Sequence, residues 1–153
     1  MGLTFDRMLK VGELAPDFPV GETSLYKMLE QGSAAVFFFP KAFTPGCTKE
    51  AKAFREEFDN LRRSGCDVVG VSRDAPETSE RFRQTLALPF PLVGDTEGAI
   101  LRAYKVRWPV LGLARRVTYV VDRNRKVKLA LHSEFDIGAH VTEACAALAR
   151  PEA

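Results

Sequence analysis

Cysteine is scarce in this chain: Cys47, Cys66 and Cys145 are the only three among 153 residues. Three widely spaced cysteines cannot make a disulfide scaffold. No Cys-x-x-Cys pair occurs, and His132 and His140 do not cluster with cysteines, so a zinc site has no support. Long apolar runs are lacking, which excludes a membrane-spanning helix. Met1 to Asp6 has no charged stretch leading into an apolar one, which argues against a secretory signal. A cytosolic location is the resulting expectation. An excess of one charge is also lacking. Lys and Arg total 22 against 20 Asp and Glu, and the net charge of +2 is too small to imply nucleic-acid or membrane binding. No basic run interleaved with aromatics appears. Repeats, low-complexity tracts and domain linkers are absent too.

What remains is an ordinary globular composition, 46% hydrophobic and 27% charged. The length fits one domain spanning residues 1–153, large enough to bury a core without staples. Strand and helix patterns alternate along it. Ala35 to Phe39 is a short continuous apolar run, suited to a strand buried on both faces. A helix is expected from about Pro45, and a second buried strand over Asp67 to Ser72. Pro76 to Leu86 reads as a helix with Pro76 at its start. Pro91 to Val93 reads as a short strand, and Glu97 to Tyr104 as a short helix. Arg116 to Asp122 and Lys126 to Leu131 are strands around a turn, and a last helix covers Ile137 to Ala149. This order predicts an α/β fold: a central mixed β-sheet flanked by helices, with an antiparallel edge.

The segment that promises chemistry is Pro40-Lys41-Ala42-Phe43-Thr44-Pro45-Gly46-Cys47-Thr48-Lys49-Glu50, between a buried strand and a helix. Ligands of α/β sheets bind beyond the carboxyl ends of strands. Thr44 suits the N-cap, its hydroxyl accepting an orphan backbone N–H. Pro45 suits the first helical position. Gly46 permits close approach to the backbone. Cys47 then falls in the first turn, where unpaired N–H groups carry partial positive charge. A thiolate is stabilised there, and the same N–H groups can receive an oxygen that gains charge during reaction. Taken alone, this start fits an inert buried cysteine as well as a nucleophile.

Pro40-x-x-x-Thr44-x-x-Cys47 resembles the active-site signature of the peroxiredoxins. The longer run from Phe39 to Glu50 resembles their bacterioferritin-comigratory, or Q-type, branch. Gly12-x-x-Ala15-Pro16-Asp17-Phe18, Val69 to Asp74, Leu88 to Asp95 and Arg116 to Asp122 resemble further family segments in the same order. The likeness spans nearly the whole chain. It implies a thioredoxin-like fold with the family's N-terminal extension. It also implies a thiol-dependent peroxidase, reducing hydrogen peroxide and organic hydroperoxides without metal or organic cofactor. Cys47 would be the peroxidatic cysteine, passing through a sulfenic acid. Thr44 would hydrogen-bond the peroxide, Arg116 would hold the thiolate, and Pro40 would shield it from water. Glu50 would orient Arg116. The implied partners are a peroxide and a reductant: thioredoxin, glutaredoxin or a small thiol. The protein is expected as a monomer or homodimer.

Other residues divide between bland and functional readings. Arg115 and Arg116 are adjacent on a strand, so only one can face the site, and Arg115 is expected to be a solvated charge. Phe43 and Trp108 are candidates for the pocket mouth, Trp108 equally for packing. His132 and His140 read as structural or exposed. Lys52 stands where many Q-type relatives carry a resolving cysteine, and Glu77 to Leu86 contains none. Cys145 and Cys66 remain as resolving candidates, and a one-cysteine mechanism with an external thiol is the favoured expectation. A redox sensor or relay that passes a disulfide from Cys47 to a partner protein is the alternative. A thioredoxin-like disulfide oxidoreductase is disfavoured, because such enzymes need the missing second thiol.

Overall fold

The computed structural model describes residues 8–109, 111–134 and 136–148. Its centre is a five-stranded sheet in the order β5-β4-β3-β6-β7. The strands are β3 (Ser33–Phe38), β4 (Cys66–Ser72), β5 (Leu92–Gly94), β6 (Val117–Val121) and β7 (Val127–His132). A two-stranded ribbon, β1 (Pro19–Val20) and β2 (Thr23–Ser24), precedes them. β3 runs parallel to β4 and antiparallel to β6, so the sheet is mixed, as expected. The helices are α1 (Leu25–Met28), α2 (Pro45–Arg63), α3 (Pro76–Thr85), α4 (Ala99–Ala103) and α5 (Ile137–Leu148).

Strand periodicity divides the interior into two cores. Side chains alternate across a strand. Val36 and Phe38 therefore face one core, with Phe18, Leu101, Tyr104 and Tyr119. Ala35, Phe37 and Phe39 face the other, with Phe54, Phe82, Phe90, Val141 and Cys47. Both faces of β3 are covered, which explains its uninterrupted apolar sequence. The Phe37 ring stacks on Phe54 at 4.5 Å between centroids. Its strand partner is Gly70, where an added Cβ would lie 2.8 Å from Phe37 Cζ and 2.6 Å from Leu92 Cδ2. Glycine at 70 is thus the space that the Phe37 ring occupies.

Element ends follow local chemistry. α2 begins with Pro45 at its first position and ends at Ser64, followed by Gly65 at φ 80°. Arg62 and Arg63 in its last turn complement the helix dipole. α4 is shorter than expected, because Gly98 adopts a left-handed φ of 78° directly before it. The Asp95 carboxylate accepts the Leu101 N–H there, at 2.9 Å. Asp122 organises the β6–β7 turn by accepting the N–H groups of Asn124 and Lys126. The segment before β1 bonds the start of β7 and the turn before it, through Gly12 N–H to Val127 O and Ala15 N–H to Arg125 O. No helix among the described residues is long and apolar enough to cross a membrane.

Candidate active site

The site lies beyond the carboxyl ends of β3 and β4, where the chain turns from β3 into α2. That turn is anchored from the next loop. The Asp74 carboxylate accepts the Ala42 N–H at 2.8 Å and the Ser72 hydroxyl at 2.7 Å. Phe43 holds a left-handed φ of 67°, uncommon for a bulky residue and a small store of strain. Its half-exposed ring packs edge-on against Phe82 and lies beneath the Arg81 guanidinium.

Thr44 is the N-cap residue of α2, with extended backbone, but its side chain makes no capping bond. The expectation of a hydroxyl cap is corrected here. Thr44 Oγ1 instead donates to the Lys41 carbonyl at 2.7 Å. The proton is committed, and the oxygen lone pairs stay available as acceptors.

Cys47 sits in the first turn of α2, on its inward face with Glu50, Ala51 and Phe54, and is 1% exposed. Arg116 reaches it from the entry to β6. Both Nη1 and Nη2 lie 3.6 Å from Cys47 Sγ. Gly46 makes this approach possible, because a Cβ there would stand 3.1 Å from Arg116 Nη2. Arg116 is itself held on three sides. Its Nη1 donates to Glu50 Oε1 at 2.7 Å, its Nε to the Glu134 carbonyl at 3.3 Å, and its backbone N–H to Glu134 Oε2 at 2.9 Å. His132 Nε2 lies 2.9 Å from the same Glu134 oxygen.

Burial opposes the Arg116 charge, but Glu50 and Cys47 more than restore it, so the guanidinium stays protonated. Glu50 is fully buried, and that desolvation pushes its carboxyl up to about 8 despite the neighbouring Arg116. A sulfur anion at Cys47 would meet two guanidinium N–H groups and the positive end of α2, inside a site almost closed to water.

Arg115 departs from expectation. It is 3% exposed, and its guanidinium donates to the Lys105 carbonyl. Its backbone N–H bonds Val106 O, so the pair serves the other core instead of solvent. Pro40 joins Trp108, Leu111 and Leu113 around an apolar groove of about 370 Å³ beside the Cys47 loop. The Arg73 guanidinium fixes that wall by donating to the carbonyls of Gly112 and Thr96.

Cys66 opens β4 instead of preceding it, and burial pushes its thiol up to about 12. It lies at the start of β4, whereas Cys47 lies past its end, a separation of roughly 20 Å along a strand of that length. Cys145, in α5, is raised by burial and then by the charge of Glu57, on α2. Glu57 stands about 15 Å along that helix from Cys47.

Glu134 and His140 carry no motif, and sequence reasoning assigned neither to the site. His140 is wholly buried, its Nδ1 3.7 Å from Glu50 Oε2. Acids and histidines near a strand's end are too common in sequence to single these two out.

The chain is similar to known proteins over most of its length. Residues 11–130 match the AhpC/TSA family. The crystal structure of the peroxidoxin BcpB from Mycobacterium tuberculosis superposes with a TM-score of 0.85 at 33% identity, covering 92% of this chain and 96% of that one. The chloroplastic peroxiredoxin Q of Arabidopsis thaliana is 32% identical over 147 residues, 93% of this chain and 68% of its own length. A peroxiredoxin Q structure from Xanthomonas campestris matches with a TM-score of 0.72 at 28% identity, over 78% of this chain and 79% of that one. By family match, relatives and thioredoxin-like fold together, the chain belongs to the AhpC/TSA family and is a peroxiredoxin, a thiol-dependent peroxidase.

Proposed function

We propose that residues 1–153 act as one peroxidase domain, reducing hydrogen peroxide and organic hydroperoxides through a sulfenic acid at Cys47. The observation that carries this reading is the pair of 3.6 Å contacts from Arg116 to Cys47 Sγ at the start of α2. The Cys47 thiolate attacks the terminal peroxide oxygen. An S–O bond forms as the O–O bond breaks, sulfur is oxidised, and the departing alkoxide or hydroxide takes up a proton. Negative charge moves from sulfur onto the leaving oxygen, and Arg116 with the first-turn N–H groups stabilises it at both ends. Thr44 Oγ1, its own proton spent on Lys41, accepts the peroxide O–H. Pro40 closes the sulfur side against water, Phe43 edges the mouth, and Glu50 orients Arg116. The apolar groove at Trp108, Leu111 and Leu113 fits the carbon tail of an organic hydroperoxide.

Resolution falls to an external thiol, from thioredoxin, glutaredoxin or a small molecule. A disulfide needs Cα atoms within about 7 Å. Cys66 at the far end of β4, and Cys145 on α5 beside Glu57, far along α2 from Cys47, support this one-cysteine reading. The thiol displaces water from the sulfenic acid, and a second thiol releases Cys47 as thiolate and leaves with a disulfide. A cytosolic, monomeric or homodimeric enzyme without cofactor completes the reading. The same remoteness of other cysteines favours a second one, a relay that hands its oxidation to a partner protein. Slow turnover with generic thiols, combined with mixed disulfides to one protein, would favour the relay.

The test is peroxide turnover by Cys47→Ser, expected at zero, and by Arg116→Ala, expected about a hundredfold to a thousandfold slower. Mass spectrometry after one equivalent of peroxide should place the added oxygen on Cys47. Turnover surviving in Cys47→Ser defeats the assignment. A disulfide that vanishes in Cys66→Ser or Cys145→Ser defeats one-cysteine resolution.

A further inference from the structure

Thr44 occupies the N-cap of α2 and leaves it uncapped. An N-cap threonine ordinarily accepts the second or third helical N–H, here that of Gly46 or Cys47. Such a bond would turn Thr44 Oγ1 onto the helix and consume one of the N–H groups beside the sulfur. The hydroxyl is drawn away by the Lys41 carbonyl, to which it donates at 2.7 Å. What aims that carbonyl at Thr44 is the other edge of its own peptide. A trans peptide points its C=O and its N–H in opposite directions. The N–H of the Lys41–Ala42 peptide is that of Ala42, and it donates to Asp74 Oδ2 at 2.8 Å. One peptide plane is therefore gripped at both edges, by Asp74 on one side and Thr44 on the other.

We propose that Asp74 is a positioning residue for peroxide reduction, which sets the direction of the Thr44 hydroxyl through the Lys41–Ala42 peptide and so keeps Thr44 from capping α2. With the Asp74 bond made, the Lys41 carbonyl faces Thr44 and the hydroxyl proton is committed there. Oγ1 then offers its lone pairs to the peroxide O–H. The first-turn N–H groups stay free for the oxygen that gains charge. Without that bond, the Ala42 N–H becomes an unpaired donor on a buried residue. Such a donor is costly, and rotation of the peptide relieves it by finding another acceptor. That rotation carries the Lys41 carbonyl away, and Thr44 falls back onto the helix end.

Asp74 is itself held firmly enough to do this. The same Oδ2 accepts the hydroxyl of Ser72, a fully buried residue, at 2.7 Å, and the Asp74 N–H returns to Ser72 Oγ at 3.3 Å. The Asp95 N–H fixes the Ser72 carbonyl at 2.7 Å. The Asp74 carbonyl oxygen lies 2.6 Å from where a Cβ at Gly94 would stand, so the turn after β4 packs directly on β5. The carboxylate cannot follow a drifting loop, and the loop conforms to it. Phe43, next to Ala42, keeps its left-handed φ of 67° within the turn so fixed.

The inference rests on the peroxidase reading above, in which Thr44 receives the peroxide, and its test separates the two. The rate of Cys47 oxidation by hydrogen peroxide is followed by stopped flow in single and double variants. Asp74→Ala should be slower than wild type by about tenfold to a hundredfold, the cost of a misplaced reacting group. Asp74→Asn keeps an oxygen for Ala42 and Ser72 and should stay within about threefold of wild type. Adding Asp74→Ala to Thr44→Val, which has no hydroxyl to direct, should cost less than about twofold more. A residue that only braced the loop would slow both backgrounds alike. Ser72→Ala takes one bond from the carboxylate and should slow oxidation by about threefold, only where the Thr44 hydroxyl is present. It decides in place of Asp74→Ala should that variant fail to fold. Asp74→Asn as slow as Asp74→Ala, or equal losses with and without the Thr44 hydroxyl, overturns the proposal. Thr44→Val as fast as wild type does so too, whereas a wild-type protein that never takes oxygen on Cys47 overturns the peroxidase reading instead.

Discussion

Replacing Glu50 by glutamine should stabilise the protein at neutral and alkaline pH while leaving its stability in acid unchanged. The carboxyl is fully buried and titrates near 8, against an ordinary 4.5. Between those values the unfolded chain has released this proton and the folded chain still holds it. The folded state therefore binds more protons, and its stability falls as pH rises, by ~1.4 kcal/mol per unit. Over the whole window the loss is on the order of 5 kcal/mol, a large share of the stability of a domain of this size. Glutamine keeps an oxygen for Arg116 Nη1 and has nothing to ionise. Urea unfolding, followed by far-UV circular dichroism and by the fluorescence of the single tryptophan, would supply both curves. The gap between variant and wild type should be near zero in acid and widen steadily up to pH 8. Two curves that run parallel from pH 5 to pH 8 would refute the reasoning, because Glu50 would then be ionised throughout as a stable ion pair.

Gly46→Ala should slow peroxide reduction by about tenfold in stopped-flow assays, because its Cβ would press on Arg116 Nη2 from 3.1 Å. The same change should not weaken the helix, since alanine is the better helix former by ~0.5–1 kcal/mol. Trp108→Ala and Leu113→Ala should raise KM for a bulky aryl hydroperoxide by about tenfold and leave hydrogen peroxide unaffected, as lost apolar contact of ~1–2 kcal/mol implies. Equal effects on both substrates would mean that the groove serves only to pack the loop. Gly70→Ala should lower the calorimetric melting temperature by several degrees, matching an overpacking cost of ~1–3 kcal/mol against Phe37 and Leu92.

Much of the fold was legible because it is written locally. The apolar run at β3, the prolines that open α2 and α3, and the Asp122 turn all declare themselves within a few residues. Cys47, Thr44 and Arg116 were legible through a motif, and the structure brings Arg116 against Cys47 from 69 residues away. What failed was long-range or depended on direction. Alternation along a strand placed Arg115 in solvent, but β6 begins only at Val117, and Arg115 folds back onto Lys105. Thr44 has the right backbone for a cap, yet its hydroxyl finds the Lys41 carbonyl first. Glu134 and His140 join the site by packing of β7 and α5, which no spacing in the chain encodes.

The guanidinium that faces Cys47 arrives late in the chain, and α5 later still. While the polypeptide is emerging from the ribosome, the first half can form its helix and present its sulfur, but nothing electropositive beyond the helix end stands beside it. The nascent protein therefore has Cys47 without the two guanidinium contacts of the folded state. Those contacts form only when the carboxyl-terminal third docks, so the meeting of Arg116 and Cys47 is a mark of a finished chain.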